Sequence, residues 1–508
     1  MAGCIQIRHQ FPAARLFQIA GLLIALPSIS FAQEVGELTA FQAAAIMEKA
    51  MVSAIEKAEK SVVAIARVRR NARPLRVEKD DPLDFRLREP PIDPTDPRFV
   101  PNEYGTGVII DKSGLILTNY HVIGKPAEND YYVWINRVPY KVDNVMEPHK
   151  VLDVKAADPW TDLAILKINA ENLTPITYGD GSKLKKGNIV IALGNPYAIA
   201  RDGQASATWG IISNLNRKAT KNPTIIEAAR GGETLHHFGT LIQTDAKLEL
   251  GTSGGALINL KGQMIGLTTS LAAMEGYEKS AGFAIPVDEV FKKTVDKLKT
   301  GAKAEFGFLG VQPADLAIAA RQRGELGVRL MHVVQGTPAG QAGLRVHDKV
   351  THVNGTQIHD HIELMRELSK NFAEDIVKLT VDRPNRAPVL VPVKLSKKYI
   401  ESTRPSYSQQ MEVTWRGLKV DFATAIPYFL SKSHNMDPEG CVAVVSVDRD
   451  SAAWKAGLRP WTFVNHVNGR RVSTPTEFYA AVADKTGRVQ IQLTGAEGVD
   501  SPFRTVMP

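Results

Sequence analysis

Between residues 61 and 286 the chain is a series of short apolar runs cut by Gly, Asp, Asn and Pro. The runs are Val62–Ala66, Gly107–Ile110, Leu115–Leu117, Tyr132–Trp134, Leu163–Ile168, Ile189–Leu193, Gly210–Ile212, Leu241–Ile242, Ala256–Ile258, Met264–Leu267 and Ala281–Ile285. None is long enough for a stable helix, and regular turn signals between short β-formers specify an all-β sandwich or barrel. Residues 61–286 can hold two small barrels, which a short helix from Val287 to Leu298 would close. The expected class is mainly β.

A chain of 508 residues exceeds one compact core, so two to four domains are expected. Residues 1–32 read as a secretory signal: Arg8 and Arg15 precede an apolar run from Leu16 to Leu26, and Ser30-Phe31-Ala32 allows cleavage before Gln33. That run is about half of the ~20 apolar residues a spanning helix needs, and no later stretch reaches that length. Residues 33–60 read as a helical segment leading into the first strand. Seven prolines between Asn71 and Asn102 exclude regular structure and make 71–102 a long surface loop. Only Cys4 and Cys441 occur, the first inside the signal, so packed cores rather than disulfides must hold an exported product. No Cys/His cluster has metal spacing, no cofactor is implied, and the His236-His237 doublet reads as a solvated loop. The net charge of +8, without an arginine-rich run, gives no reason to expect nucleic-acid binding.

The C-terminal part repeats itself. Gly307-Phe-Leu-Gly-Val311, Ala342-Gly-Leu344 and Asn354-Gly355 recur as Gly417-Leu-Lys-Val420, Ala456-Gly-Leu458 and Asn468-Gly469. In both copies Ala-Gly-Leu leads Asn-Gly by 12 residues, and a helical stretch and a last strand follow. Two small domains result, 301–396 and 411–508, joined by a polar linker at 397–410.

Chemistry is concentrated in three places. Gly251-Thr-Ser-Gly-Gly-Ala256 sets a serine among glycines, where a tight turn can aim successive N–H groups at one point. Upstream lie Thr118-Asn-Tyr-His121 and Thr161-Asp-Leu-Ala164. They supply a base (His121), an orienting carboxylate (Asp162) and a nucleophile (Ser253), because a serine hydroxyl needs a neighbouring imidazole to take its proton. Gly251, Thr252 and Ser253 are the candidate oxyanion turn.

Together these features resemble the HtrA (Deg) family of secreted serine proteases, a chymotrypsin-like double β-barrel followed by PDZ domains. The carriers are Gly105–Asp111, Leu117–Ile123, Thr161–Lys167, Ala192–Pro196, Ile242–Ala246, Gly251–Leu257 and Ala281–Pro286, seven blocks in the family's order. The resemblance implies a periplasmic or extracellular, ATP-independent endopeptidase for unfolded or damaged proteins, with 61–300 as the protease domain and 71–102 in the place of a regulatory loop. It implies a substrate strand along Leu267, Thr268 and Thr269, and a small aliphatic P1 residue. Lys247, six residues before the serine, would favour acidic P1 residues if it entered that pocket. It also implies capture of peptide C-termini at Phe308, Leu309, Gly310 and Val311, and a homotrimer or a multiple of it.

The chain departs from the family pattern in places. Glu249-Leu-Gly-Thr252 replaces Asn-Pro-Gly-Asn before the serine, and Trp461-Thr462 stands at the second copy's usual Gly-Asp, making that copy the more doubtful peptide binder. A catalytically silent chaperone or peptide-binding scaffold is the competing reading.

Overall fold

The computed structural model describes residues 39–70, 103–135, 138–141, 154–195, 204–219, 234–269, 281–400, 406–427, 429–495 and 502–508. The signal, the proline-rich 71–102 segment and Pro196 lie outside them. The helix Ala40–Ala58 leads into β1 (Val62–Arg69).

Seven strands of the protease region make the first sheet, which β22 (Tyr407–Ser408) from the C-terminal part completes to eight. β1 is flanked by β2 (Glu103–Asp111) and β4 (Asn129–Ile135), and β5 (Val138–Lys141) pairs with β4. Beyond β2 come β3 (Leu115–Asn119), β7 (Leu163–Lys167) and β6 (Val154–Asp158). The second sheet closes into a six-stranded barrel. It is built from β8 (Ile189–Gly194), β9 (Ser206–Arg217), β10 (Leu241–Thr244), β11 (Ala256–Ile258), β12 (Met264–Thr269) and β13 (Gly282–Pro286).

Many of these strands are apolar without alternation because both of their faces are buried. The two-residue pleat still sorts the side chains. In β3, Ile116 enters the first barrel's interior, whereas Leu115 and Leu117 face the shared core. In β8, Val190 and Ala192 fill the second barrel, and Ile191 and Leu193 face the same shared core. The helix Glu289–Lys299, capped by the Asp288 carboxylate on Phe291 N–H, adds Phe291, Val295 and Leu298 to it. The catalytic candidates therefore sit on elements clamped by one common apolar layer.

The sequence repeat is a structural repeat. The first copy has a two-residue β14 (Gly307–Phe308), then β15 (Val311–Asp315), β16 (Val328–Val333), β17 (Lys349–Val353), β18 (Thr356–Gln357), the helix His361–Ser369, β19 (Ile376–Asp382) and β20 (Val389–Lys394). Its sheet order is 15-16-17-19-20, with β18 on β17. After β21 (Ser396–Lys397) and β22 (Tyr407–Ser408), the second copy has β23 (Leu418–Phe422), β24 (Val442–Val447), β25 (Phe463–Val467), β26 (Arg470–Arg471), the helix Pro475–Val482, β27 (Val489–Thr494) and β28 (Phe503–Val506). Its order, 23-24-25-27-28 with β26 on β25, is the same.

The 397–410 stretch is more than a linker. β21 pairs with β14, and β22 extends the first protease sheet by pairing Tyr407 with Ala157 and Ser408 with Ala156. Cys441 is a free, buried thiol whose pKa burial pushes up to about 12, which keeps it protonated and inert.

Candidate active site

Asp162 ends a tight connection between β6 and β7 and is 2% exposed. Its φ of 56° is left-handed, which costs a residue with a Cβ and persists only where neighbours impose it. Here three consecutive carbonyls are tied down. Trp160 C=O accepts from Leu235 N–H (2.9 Å), and Thr161 C=O from His236 Nε2–H (3.1 Å). Asp162 C=O accepts from Tyr120 N–H (3.0 Å) and Asn119 Nδ2 (3.2 Å). Below the loop, Asp158 Oδ2 takes Thr161 N–H at 2.9 Å and its hydroxyl at 2.5 Å. Burial drives the Asp158 carboxyl up to about 6, and its Oδ1 has no hydrogen-bond partner among the described residues.

The carboxylate of Asp162 is thereby presented to His121. His121 Nδ1 lies 3.0 and 2.9 Å from its two oxygens, and His121 N–H donates to Oδ1 at 3.0 Å. Thr269 Oγ1–H reaches Oδ2 from the second barrel at 3.3 Å. An ionised carboxylate only accepts, so the Nδ1 proton is fixed and the neutral ring carries its lone pair on Nε2.

Ser253, 6% exposed, approaches from the other barrel. At Gly105 the two halves meet: a Cβ there would lie 2.7 Å from Val122, next to His121, and 3.4 Å from Ser253 C=O. The serine turn is closed by Thr252, whose N–H (3.1 Å) and hydroxyl (2.7 Å) both donate to Glu249 C=O. Gly251 has φ 96°, and a Cβ on it would come within 2.5 Å of Asn195 C=O, so only glycine fits. Thr252 C=O accepts from Thr268 Oγ1 (2.5 Å) and Gly255 N–H (3.0 Å). Across the trans peptide the Ser253 N–H is directed the opposite way.

Several expectations need correction. Thr252 N–H is consumed inside the turn and is not an oxyanion donor. Lys247 is 75% exposed and pairs with Glu249 at 2.5 Å, so it does not line a pocket. Leu267 and Thr268 offer no edge to a substrate strand. Thr268 N–H and C=O bond Gly255 C=O and Gly254 N–H (both 2.9 Å), and Leu267 lies between Ala256 and Ile285. Thr269, at the strand end, contacts Asp162 instead.

His236 is fully buried, not solvated. Thr240 Oγ1–H donates to its Nδ1 at 2.8 Å, and burial holds its pKa below the ordinary value. The flanking Leu235 and Phe238 were the available signal. Thr106, between two glycines of β2, is a second polar residue that sequence reasoning passed over.

In the first repeat, Leu309 C=O accepts from Ala339 N–H (2.9 Å) and Gly310 C=O from Val334 N–H (3.0 Å), which shapes a loop ahead of edge strand β15. Phe308 stacks edge-on with Phe429 at 5.0 Å, and Val311 opens β15. In the second copy the matching edge is already taken. Leu418 N–H bonds Trp415 C=O (2.8 Å), and Val420 N–H bonds Tyr479 Oη (3.2 Å), which donates to Val413 C=O (2.8 Å).

Residues 105–267 match the trypsin-like peptidase domain family, and residues 307–395 match the PDZ domain family. A probable periplasmic serine endoprotease, DegP-like, of Chlamydia muridarum is 32% identical over 389 residues, covering 75% of this chain and 70% of that protein. The periplasmic pH-dependent serine endoprotease DegQ of Escherichia coli is 30% identical over 397 residues, covering 77% of each. Among solved structures, the HtrA-type protease AlgW with decapeptide covers 68% of this chain and 98% of its own, with TM-score 0.47 and 23% identity. A trypsin-like peptidase domain joined to a PDZ domain, with relatives at this identity over most of their length, places this chain in the HtrA (Deg) family of periplasmic serine endoproteases.

Proposed function

We propose that Ser253 is the nucleophile, His121 its general base and Asp162 the group that orients and neutralises the imidazolium. The substrates are unfolded polypeptides. His121 Nε2 takes the serine proton as Oγ attacks the scissile carbonyl, and returns it to the leaving amine. The N–H groups of Gly251 and Ser253 stabilise the tetrahedral oxyanion, each worth roughly 3–4 kcal/mol. Water then releases the acyl group by the same steps. The observation that carries this reading is the His121 Nδ1–Asp162 pair at 2.9–3.0 Å, with Gly105 packed between Val122, the neighbour of that histidine, and the Ser253 carbonyl. Lys247 is held on Glu249, which leaves the small aliphatic P1 preference that the family resemblance implies.

Peptide C-termini are taken by the first PDZ domain, whose Phe308–Val311 loop leads into an edge strand able to accept an added strand. The second repeat is a PDZ-like domain of the same strand order with a closed edge. The active assembly is a homotrimer or a multiple of one, the family's arrangement.

Casein digestion tests the chemistry. Wild type is expected to cleave and to be silenced by a serine-directed phosphonate, and Ser253→Ala to lose about a millionfold in turnover. Cleavage that survives both treatments would remove Ser253 from the role and leave the scaffold reading.

A further inference from the structure

Thr106 lies in β2 of the first barrel, yet every polar group it has is spent around the serine turn. Its N–H donates to Ser253 C=O at 2.8 Å, and its hydroxyl donates to Gly251 C=O at 2.7 Å. The same hydroxyl accepts from Asn195 N–H at 2.8 Å, and its carbonyl accepts from the Thr118 hydroxyl at 2.7 Å. The residue is completely buried. One residue from the first barrel therefore holds the carbonyls of both residues whose N–H groups are assigned to the oxyanion, Ser253 through its backbone N–H and Gly251 through its hydroxyl.

We infer that Thr106 is a positioning residue for the oxyanion turn, latching the 251–253 backbone of the second barrel to the first. The inference rests on the triad and oxyanion reading above. A carbonyl without a partner in this dry site is costly, so the latch selects the one turn conformation that satisfies Gly251 C=O. Gly251 has the conformational freedom to flip its neighbouring peptides. Without the hydroxyl, the turn has no reason to keep its carbonyl on the Thr106 side, and its donors lose registration with the developing charge. Substrate held elsewhere in the cleft binds as before. The deficit therefore belongs to the transition state and falls on kcat rather than KM. Thr118 lies three residues before His121, so the same hub also ties the base-bearing strand end to the nucleophile's turn.

The test compares Thr106→Val, which keeps the shape and removes the hydroxyl, with Thr106→Ser, which keeps the hydroxyl and removes a methyl. Thr106→Ala serves in place of valine if the valine variant does not fold. For the full chain on a chromogenic peptide, Thr106→Val is expected to lose about tenfold to a hundredfold in kcat with KM within about twofold. Affinity for a peptide boronate, which mimics the tetrahedral species, should fall by the same factor as kcat/KM, and Thr106→Ser should restore most of both. A folded valine or alanine variant with kcat near wild type overturns the inference, as does a serine variant as slow as valine, or a loss confined to KM. Ser253→Ala run alongside separates the two levels. If it stays active, the triad reading has failed. If it is inactive while Thr106→Val is unimpaired, only the latch has failed.

Discussion

At the residue scale, the proposed triad is bordered by Thr106 and His236, two side chains that sequence motifs did not mark for it. Each supplies a hydrogen bond to a backbone carbonyl beside a reacting group, and each is buried so completely that water cannot replace it. Asp158 acts in the same layer and adds a pH dependence. Burial, the largest influence, lifts its pKa from 3.8 to about 6, while Thr161 and Trp160 hydrogen bonds pull it down and the nearby Asp162 charge adds to the rise. The folded protein thus holds this proton up to about pH 6, whereas the unfolded chain releases it near 3.8. Where the folded state binds the extra proton, stability falls as pH rises, and the full penalty is present above the folded value. Asp158→Asn keeps an acceptor for Thr161 and never ionises. Its thermal midpoint relative to wild type should therefore climb from about pH 4 to about pH 7. A difference that stays flat across that range, followed by differential scanning calorimetry, would show that Asp158 is not protonated in the fold.

At the scale of elements, the two repeats share a strand order but not an available edge. The matched ladders make Val311 the equivalent of Leu418 in the other copy, and Pro313 the equivalent of Val420. In the second copy both edge N–H groups are consumed, one by Trp415 C=O and one by Tyr479 Oη. In the first copy the edge has a proline at 313, which guards against unwanted strand pairing but offers no donor to a ligand carbonyl. A bound peptide there depends more on its terminal carboxylate. Pro313→Val should restore the missing N–H and tighten a C-terminal peptide by about fivefold, the worth of one ordinary hydrogen bond. Fluorescence anisotropy with a labelled peptide checks this, and an amidated C-terminus should abolish binding in both forms. Unchanged affinity would place the peptide elsewhere. The sequence marked the second copy as the more doubtful through Trp461-Thr462, but closure of its edge was not legible. It comes from the 413–415 segment folding back and from a tyrosine one helix away.

Across the whole molecule, the loop that carries Asp162 is also where the PDZ domain at 307–395 rests. Trp160, fully buried two residues before the carboxylate, lies 6.2 Å from Phe306 and 6.0 Å from Phe238, ring centre to ring centre. Phe306 in turn stacks on Phe372 at 5.1 Å, and Lys398 Nζ sits 4.6 Å over the indole. β22 adds a strand to β6, the strand that leads into the same loop. A protein truncated after Thr300 keeps His121, Asp162 and Ser253 but exposes Trp160 and strips β6 of its edge partner. Small misplacements of a catalytic group cost large factors, so this truncation should turn over even a short peptide at least about tenfold more slowly than the full chain. Equal kcat for the two proteins would show that the PDZ packing is irrelevant to the aspartate. Between the two repeats the packing is polar as well as apolar. Lys397 pairs with Glu305 and Asp421 at 2.6 Å each, and although burial lowers its pKa, these two carboxylates together hold it above the ordinary lysine value.

What the sequence by itself determined is local or periodic. Short β-branched runs with turn residues between them dictate strands, glycines flanking Ser253 dictate a tight turn, and a repeated spacing dictates two like domains. These follow from backbone sterics and from pleats that must bury their apolar faces, which need no knowledge of the partner. His121, Asp162 and Ser253 were singled out as candidates from local motifs of the same kind. Only the tertiary structure decided which polar groups are spent on each other, because a hydrogen bond between Thr106 and Gly251, or between His236 and Thr161, joins residues 145 and 75 positions apart. In a buried site every donor and acceptor must find its match. That matching, which no single segment encodes, removed Thr252, Lys247 and Leu267 from the roles their positions had suggested, and gave others to residues that local pattern had left unmarked.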